Sequence, residues 1–288
     1  LTVSDGLAYN QSADNVDNQG DFMPYVDVHC HLTHESFRHD LDFVIKNTME
    51  NKVEAVVVNG LDAQSNRAVL EMAERYPVVK PALGIYPVYA LCHKNINVPF
   101  EMEKFDIDDE LKSIAAAASL GKIAAIGECG LDGYWVDEST FAYQEEVFIA
   151  LIEIARCSDL PIIVHSRKRE ERAIEVLEQH GAKKVLMHCF GGKVALAKKA
   201  AEQLGYWFSI PANAARSEHS KKMIEKLPIE KILTETDAPY LAPVAHERNM
   251  PANVKHAIEV IAKVRQLSPL EAENVIWSNY LELFKAEK

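Results

Sequence analysis

The chain has 288 residues, 48% of them hydrophobic and 26% charged, with 43 acidic against 31 basic side chains and a formal net charge of −12. These proportions belong to an ordinary globular protein and exclude wholesale disorder, a collagen-like chain and a disulfide scaffold. The acidic excess argues against a protein that coats nucleic acid non-specifically, because such binding is led by Lys and Arg at phosphates. It leaves open a nuclease whose active site is locally positive.

Residues 1–21 are rich in Asn, Asp, Ser and Gln and follow neither a two-residue nor a 3.6-residue period. They read as a disordered or expression-derived tail, and residues 22–288 as one domain. No secretory signal pattern opens the sequence. No apolar run reaches the ~18 residues of a membrane-spanning helix, and the most apolar helical stretch, Val147–Ala155, carries Glu153. The five cysteines, Cys30, Cys92, Cys129, Cys157 and Cys189, include no Cys-x-x-Cys spacing. Free thiols in a reducing, cytoplasmic setting are expected.

From Pro24 onward, short β-branched runs alternate with amphipathic stretches. The spacing predicts strands at Tyr25–His29, Ala55–Asn59, Val78–Leu83, Ala124–Gly127, Ile162–His165, Val185–His188, Tyr206–Ser209 and Ile232–Thr234. Helices are predicted between them, at Asp40–Glu50, Ala63–Arg75, Asp108–Leu120, Gln144–Cys157, Arg169–Gln179, Lys193–Gln203 and Ser217–Lys226, and then at Asn253–Arg265 and Pro269–Phe284. Asp62 and Ser268 suit helix starts, and Gly121, Gly181 and Gly205 suit helix stops. Eight such repeats favour a closed (β/α)8 TIM-type barrel over an open sheet. The dinucleotide-binding alternative lacks its Gly-x-Gly-x-x-Gly after the first strand.

In such a barrel the chemistry sits at the C-terminal face, where strands pass into loops. Strand one ends Asp27-Val-His29-Cys-His31, strand four ends at Glu128, strands five and six end at His165 and His188, and strand eight ends Glu235-Thr-Asp237. A lone core histidine is often just a packed, hydrogen-bonded residue. Imidazoles and carboxylates at equivalent positions on five strands are a different matter, since burying them uncompensated costs several kcal/mol per ion. A bound cation removes that cost. Imidazole with carboxylate suits Zn²⁺, Mn²⁺ or Fe²⁺, whereas Mg²⁺ prefers more oxygens. His29, His31, Glu128, His165, His188 and Asp237 exceed the needs of one tetrahedral ion. Two divalent ions (Zn²⁺, Mg²⁺ or Mn²⁺) would use them all: His29, His31 and Asp237 on one, His165 and His188 on the other, Glu128 between. Asp27 is expected to orient an imidazole through its second nitrogen. Cys30 should point away from the site; Cys129 and Cys189 sit just past the strands, where their thiols could approach it, with structural packing the expected role.

The motifs Asp27-Val-His29-Cys-His31-Leu, Leu83-Gly-Ile-Tyr86-Pro, Ile126-Gly-Glu128-Cys-Gly-Leu-Asp132, Ile162-Ile-Val-His165-Ser-Arg167, His188-Cys-Phe190 and Glu235-Thr-Asp237-Ala-Pro-Tyr-Leu241 run in one order along the chain. That ordered set, from about Tyr25 to Phe284, resembles the TatD-type metal-dependent deoxyribonucleases of the amidohydrolase superfamily. The resemblance implies a (β/α)8 barrel and metal ligands at the same six positions. It implies hydrolysis of phosphodiester bonds in DNA, as a 3′ to 5′ exonuclease on single strands and sometimes on RNA. Two positions depart from the family pattern: Tyr86 stands where a His is common, and Met250 where a Glu is frequent. His93, in the same loop as Tyr86, is a candidate replacement.

Asp237 is assigned as metal ligand and general base, with Glu235 as its helper. Tyr86, Arg167 and Arg248 are expected at the substrate, Arg167 suiting a bidentate phosphate contact best. Lys168 and Arg169 fit an exposed helix start equally well, and Arg216 is a further loop cation. Tyr86, Tyr134, Trp135 and Tyr240 are candidates for stacking a base, with loop packing as the alternative for Trp135. Two competing readings stand: an amidohydrolase acting on an amide, ester or lactone of a small molecule, and a non-enzymatic interaction protein on an inherited barrel. The intact donor set weighs against the second of these.

Overall fold

The computed structural model describes residues 23–94 and 96–284, so the expected tail at 1–21 lies outside the described residues. Eight strands form one sheet: β1 (Tyr25–Cys30), β2 (Val53–Asn59), β3 (Val79–Leu83), β4 (Ala125–Asp132), β5 (Ile162–Arg167), β6 (Val185–Met187), β7 (Trp207–Pro211) and β8 (Ile232–Glu235). They hydrogen-bond in sequence order, each neighbouring pair parallel. Past the end of β8 the chain returns to β1. Asp237 N–H donates to the His29 carbonyl (2.9 Å), and His31 N–H to the Ala238 carbonyl (2.8 Å). The result is the expected (β/α)8 barrel.

The strands are nearly continuous runs of Val, Ile, Leu and Ala, as both faces of a parallel sheet require. Val28, Val57, Ala82, Ile126, Ile163, Leu186, Phe208 and Leu233 are wholly buried, one from each strand. The surrounding helices are α1 (Leu41–Glu50), α2 (Ala63–Arg75), α3 (Ile107–Ser119), α4 (Phe141–Cys157), α5 (Glu170–Gln179), α6 (Val194–Lys199), α7 (Glu218–Lys226), α8 (Lys255–Arg265) and α9 (Pro269–Phe284). Their ends obey local chemistry. Asp62 caps α2 by accepting from Ser65 N–H (2.8 Å), and Ser268 and Glu271 cap each other at the start of α9. Gly121, Gly181 and Gly205 take left-handed φ at the predicted stops.

One boundary differs in a way that matters. The predicted fourth strand stops at Gly127, whereas β4 runs on to Asp132, with Gly130 paired to His165 and Asp132 to Arg167. A glycine pair masks this extension in the sequence, but the β5 ladder carries it. The connections at 84–106 and 236–254 are the long ones at the active face.

Candidate metal centre

The backbone is packed closely beneath the polar cluster. A Cβ on Gly84 would meet the Glu128 carbonyl oxygen at 2.4 Å, so only glycine lets the β3 loop lie against Glu128. Gly130 has φ +135°, and a Cβ there would stand 2.0 Å from the His165 carbonyl oxygen. At the rim, Asp237 (φ +54°) and Cys189 (φ +40°) hold left-handed conformations without being glycine. Such positions cost about 1–3 kcal/mol each and persist where the surroundings over-determine them. For Asp237 the bond from its N–H to the His29 carbonyl is one such constraint.

Six side chains from five strand ends converge. His29 Nε2 lies 3.1 Å from His31 Nε2. From His29 Nε2, Glu128 Oε2 and Asp237 Oδ1 are both 3.6 Å away. From His31 Nε2 the same two oxygens are at 3.3 and 3.5 Å. Ligands about 2.0–2.1 Å from a tetrahedral ion stand about 3.3–3.4 Å from one another. The five measured edges, 3.1–3.6 Å, therefore fit one small divalent ion. The other oxygen of Glu128 serves a second group: His165 Nδ1 lies 3.0 Å and His188 Nε2 3.2 Å from Oε1. Donor atoms of His29, His31 and Glu128, and of Glu128, His165 and His188, lie within 4.8 Å of one another in each set. Two of the imidazoles also stack, His29 on His188, with centroids 3.7 Å apart.

The far nitrogens of the imidazoles have different partners. His165 Nε2 is 2.9 Å from Asp132 Oδ2. His188 Nδ1 has Glu235 Oε2 at 3.5 Å, an ion-pair contact without hydrogen-bond geometry. His31 Nδ1 is 3.2 Å from the Asn59 carbonyl. His29 Nδ1 is buried with no hydrogen-bond partner among the described residues. The charge states follow. Burial opposes charging of His188, but Glu128 and Glu235 outweigh it and push its pKa well above the usual imidazole value. Burial, aided by the charge of His188, holds His29 well below it. Glu128 is held well below the ordinary carboxylate range, because the imidazoles overcome its burial. Facing carboxylates thus favour a proton on His188 and burial favours neutral His29, while Glu128 stays ionised. A bound cation would take the place of the proton, and imidazole with carboxylate is the donor chemistry of Zn²⁺ or Mn²⁺.

Several expectations change. Asp27 touches no imidazole ring: it accepts from the Thr236 backbone N–H (2.9 Å), the Thr236 hydroxyl (2.5 Å) and the His29 backbone N–H (3.3 Å). It therefore ties β1 to the end of β8, and burial pushes its carboxyl up to about 8. Glu235 is fully buried and accepts from Ser209 Oγ (2.7 Å), so it stands behind His188 and away from the cavity lining. Asp132, which the sequence reading did not single out, backs His165 and also accepts from the Tyr86 hydroxyl at 3.5 Å.

A cavity of about 970 Å³ opens over the cluster and is lined by His31, Glu128, His165, His188 and Asp237. Tyr86, Trp135, Arg167 and Tyr240 line it too, and so does Cys189, against expectation. Cys30 and Cys129 are buried as expected. The Arg167 guanidinium lies 3.4 Å from the centre of the Tyr134 ring and has no ion pair among the described residues. Arg248 is placed elsewhere: Asp40 grips it at 2.6 and 2.9 Å, and it does not line the cavity. Arg216 donates to the Ala242 carbonyl (2.6 Å), and Arg169 pairs with Glu145 (2.8 Å). His93 is exposed, 2.8 Å from the Phe105 carbonyl and away from the lining, so it does not replace the missing histidine. Met250 takes a hydrogen bond from Asn47 at its sulfur (3.2 Å) and packs on the core. No helix among the described residues is long and apolar enough to cross a membrane.

Comparison with known proteins agrees with this architecture. The model of the TatD related DNase family matches residues 26–285. The chain is 35% identical over 263 residues to human deoxyribonuclease TATDN3, covering 90% of this chain and 94% of that protein. It is 33% identical over 264 residues to the metal-dependent hydrolase YabD of Bacillus subtilis, covering 90% and 98%. Among solved structures, the TatD homologue YjjV of Escherichia coli K12 superposes with a TM-score of 0.79 at 25% identity, covering 91% of this chain and 98% of that one. The barrel, the convergent donor set and these likenesses lead to one conclusion: the chain belongs to the TatD related DNase family and is a metal-dependent hydrolase.

Proposed function

We propose that this protein hydrolyses phosphodiester bonds of DNA with two divalent ions, Zn²⁺ or Mn²⁺ suiting its donors best, and trims single strands from their 3′ ends. The observation that carries the reading is Glu128, whose Oε2 faces His29 and His31 while its Oε1 faces His165 and His188. In this reading His29, His31, Asp237 and Glu128 hold one ion, and Glu128, His165 and His188 hold the other. Such a pair, when bound, acidifies a coordinated water and offsets charge developing on the phosphate oxygens.

The side chains do the rest. Asp237 sets one oxygen against the imidazoles of His29 and His31, at 3.6 and 3.5 Å. Its carboxylate is thus fixed at the cavity wall, where it takes the proton of the attacking water. Arg167 offers its guanidinium edge to a phosphate oxygen, its face being seated on Tyr134. Asp132, hydrogen-bonded to His165 Nε2, favours the tautomer that leaves Nδ1 free for an ion, while the Glu235 carboxylate faces His188 Nδ1 at 3.5 Å and acts through its charge. Two divalent ions held here would bring more positive charge than Glu128 and Asp237 return, which would favour a polyanion at a protein of net charge −12.

The test is digestion of end-labelled oligonucleotides, DNA and RNA in parallel, with Mn²⁺ or Zn²⁺ added. A single-stranded DNA ladder that shortens from the 3′ end, and stops with chelator, is expected. Intact DNA beside hydrolysis of a lactone or cyclic amide would overturn the reading.

A further inference from the structure

A chain of aromatic rings leaves the metal centre along one wall of the cavity. Tyr86 sits edge-to-face on His165, with centroids 4.9 Å apart. Tyr89 follows at 5.5 Å from Tyr86, Phe100 at 5.9 Å from Tyr89, and Trp135 at 5.5 Å from Phe100. All four line the cavity, and each is only partly buried. They come from two separate connections, the β3 loop and the β4 loop, so no local sequence pattern joins them. The rings meet one another edge-on rather than stacked, Trp135 also touching Tyr134 at 4.8 Å, and all four stay partly exposed in the cavity, so aromatic surface remains open to a ligand. Arg167 closes the row. It lies 5.7 Å from the Trp135 ring and is stacked on Tyr134. The opposite rim carries Tyr240, edge-on to His34 at 5.7 Å.

Rings in series with a cation beside them are the combination by which single-stranded nucleic acids are held. Bases in a duplex bury their faces against one another and offer none to such a wall. Resting on the phosphodiesterase reading above, we infer that the Tyr89–Phe100–Trp135 wall is a subsite for unpaired bases flanking the scissile phosphate, with Arg167 on the adjoining phosphate. The ligand class is a single strand of several nucleotides, and the wall reads the presence of a base without hydrogen-bonding to its edge. Tyr134 is not part of the stacking surface: it does not line the cavity, and it carries the Arg167 guanidinium on one face. A small-molecule hydrolase has no need of a wall that extends away from its metal centre.

The experiment compares a thymidine octamer, an abasic octamer of equal length and the small diester methyl p-nitrophenyl phosphate, all with Mn²⁺. For the wild-type protein, kcat/KM should be about tenfold higher or more for the thymidine octamer than for the abasic one. Trp135→Ala and Phe100→Ala should each remove about that factor through KM. Both variants should leave hydrolysis of the small diester and of the abasic octamer unchanged. With EDTA present to stop cleavage, the thymidine octamer should quench tryptophan emission in the wild type and not in Trp135→Phe. Equal kcat/KM for the two octamers, wild-type KM in both alanine variants, or no quenching would overturn the subsite. If the small diester is cut while any of these holds, only the subsite falls. A wild type that cuts no phosphodiester at all overturns the reading beneath it as well.

Discussion

Behind His165 and His188 stand carboxylates in close contact, Asp132 at 2.9 Å and Glu235 at 3.5 Å; the far nitrogen of His31 meets a backbone carbonyl, and that of His29 has no hydrogen-bond partner among the described residues. The two sides of Glu128 are thus built on different terms. The β1/β8 side gathers four donors, including Asp237, at tetrahedral spacing, with no such carboxylate hydrogen-bonded to the far nitrogen of either ring. On the β5/β6 side only two imidazoles join the shared carboxylate, but charged partners raise their basicity. In the two-ion reading, number of donors would hold one ion and quality of donors the other. An ion on the side with fewer protein donors would have room left for a substrate oxygen.

The largest test removes the element that both sides share. Glu128→Gln should lower kcat by about a thousandfold and reduce bound metal, read by elemental analysis of the purified protein. Full activity in that variant would abolish the comparison outright. Next comes Asp237→Asn, which weakens the β1/β8 side alone and removes the proposed base. A loss of about a hundredfold or more in kcat, with unchanged circular dichroism, is expected, and an unaltered kcat would refute the base assignment. Asp132→Asn keeps an acceptor for His165 but deletes its charge. Metal affinity or activity should fall about 10- to 100-fold, with one of two ions lost first in a stepwise titration. Glu235→Gln should cost roughly tenfold or less, because its contact to His188 lacks hydrogen-bond geometry. Equal effects from Asp132→Asn and Glu235→Gln would show that contact geometry is not what separates them.

Much of this centre was legible in the sequence, for a physical reason. Strand alternation and the rule that barrel chemistry gathers at strand ends suffice to nominate His29, His31, Glu128, His165, His188 and Asp237, which the fold then brings together. What was illegible depends on three-dimensional pairing. Asp132 closes one of the sequence motifs but was given no role, because the glycines at 127 and 130 interrupt the apolar run, although the ladder to β5 continues through them. Phe100 lies in a connection with no period, and its partner Trp135 is in another. Arg248 follows the last strand in sequence, yet the chain there folds back to Asp40 beside α1 and takes the cation out of reach of the cavity. Asp27 alternates correctly with His29, but the Thr236 hydroxyl and N–H claim its oxygens first.

The central claim is a pair of ions shared through one carboxylate, and anomalous diffraction from crystals grown with Zn²⁺ tests it most directly. Two peaks about 3.5–4 Å apart, one on each side of Glu128, are the predicted result. A single peak, or peaks that avoid Glu128, would contradict it.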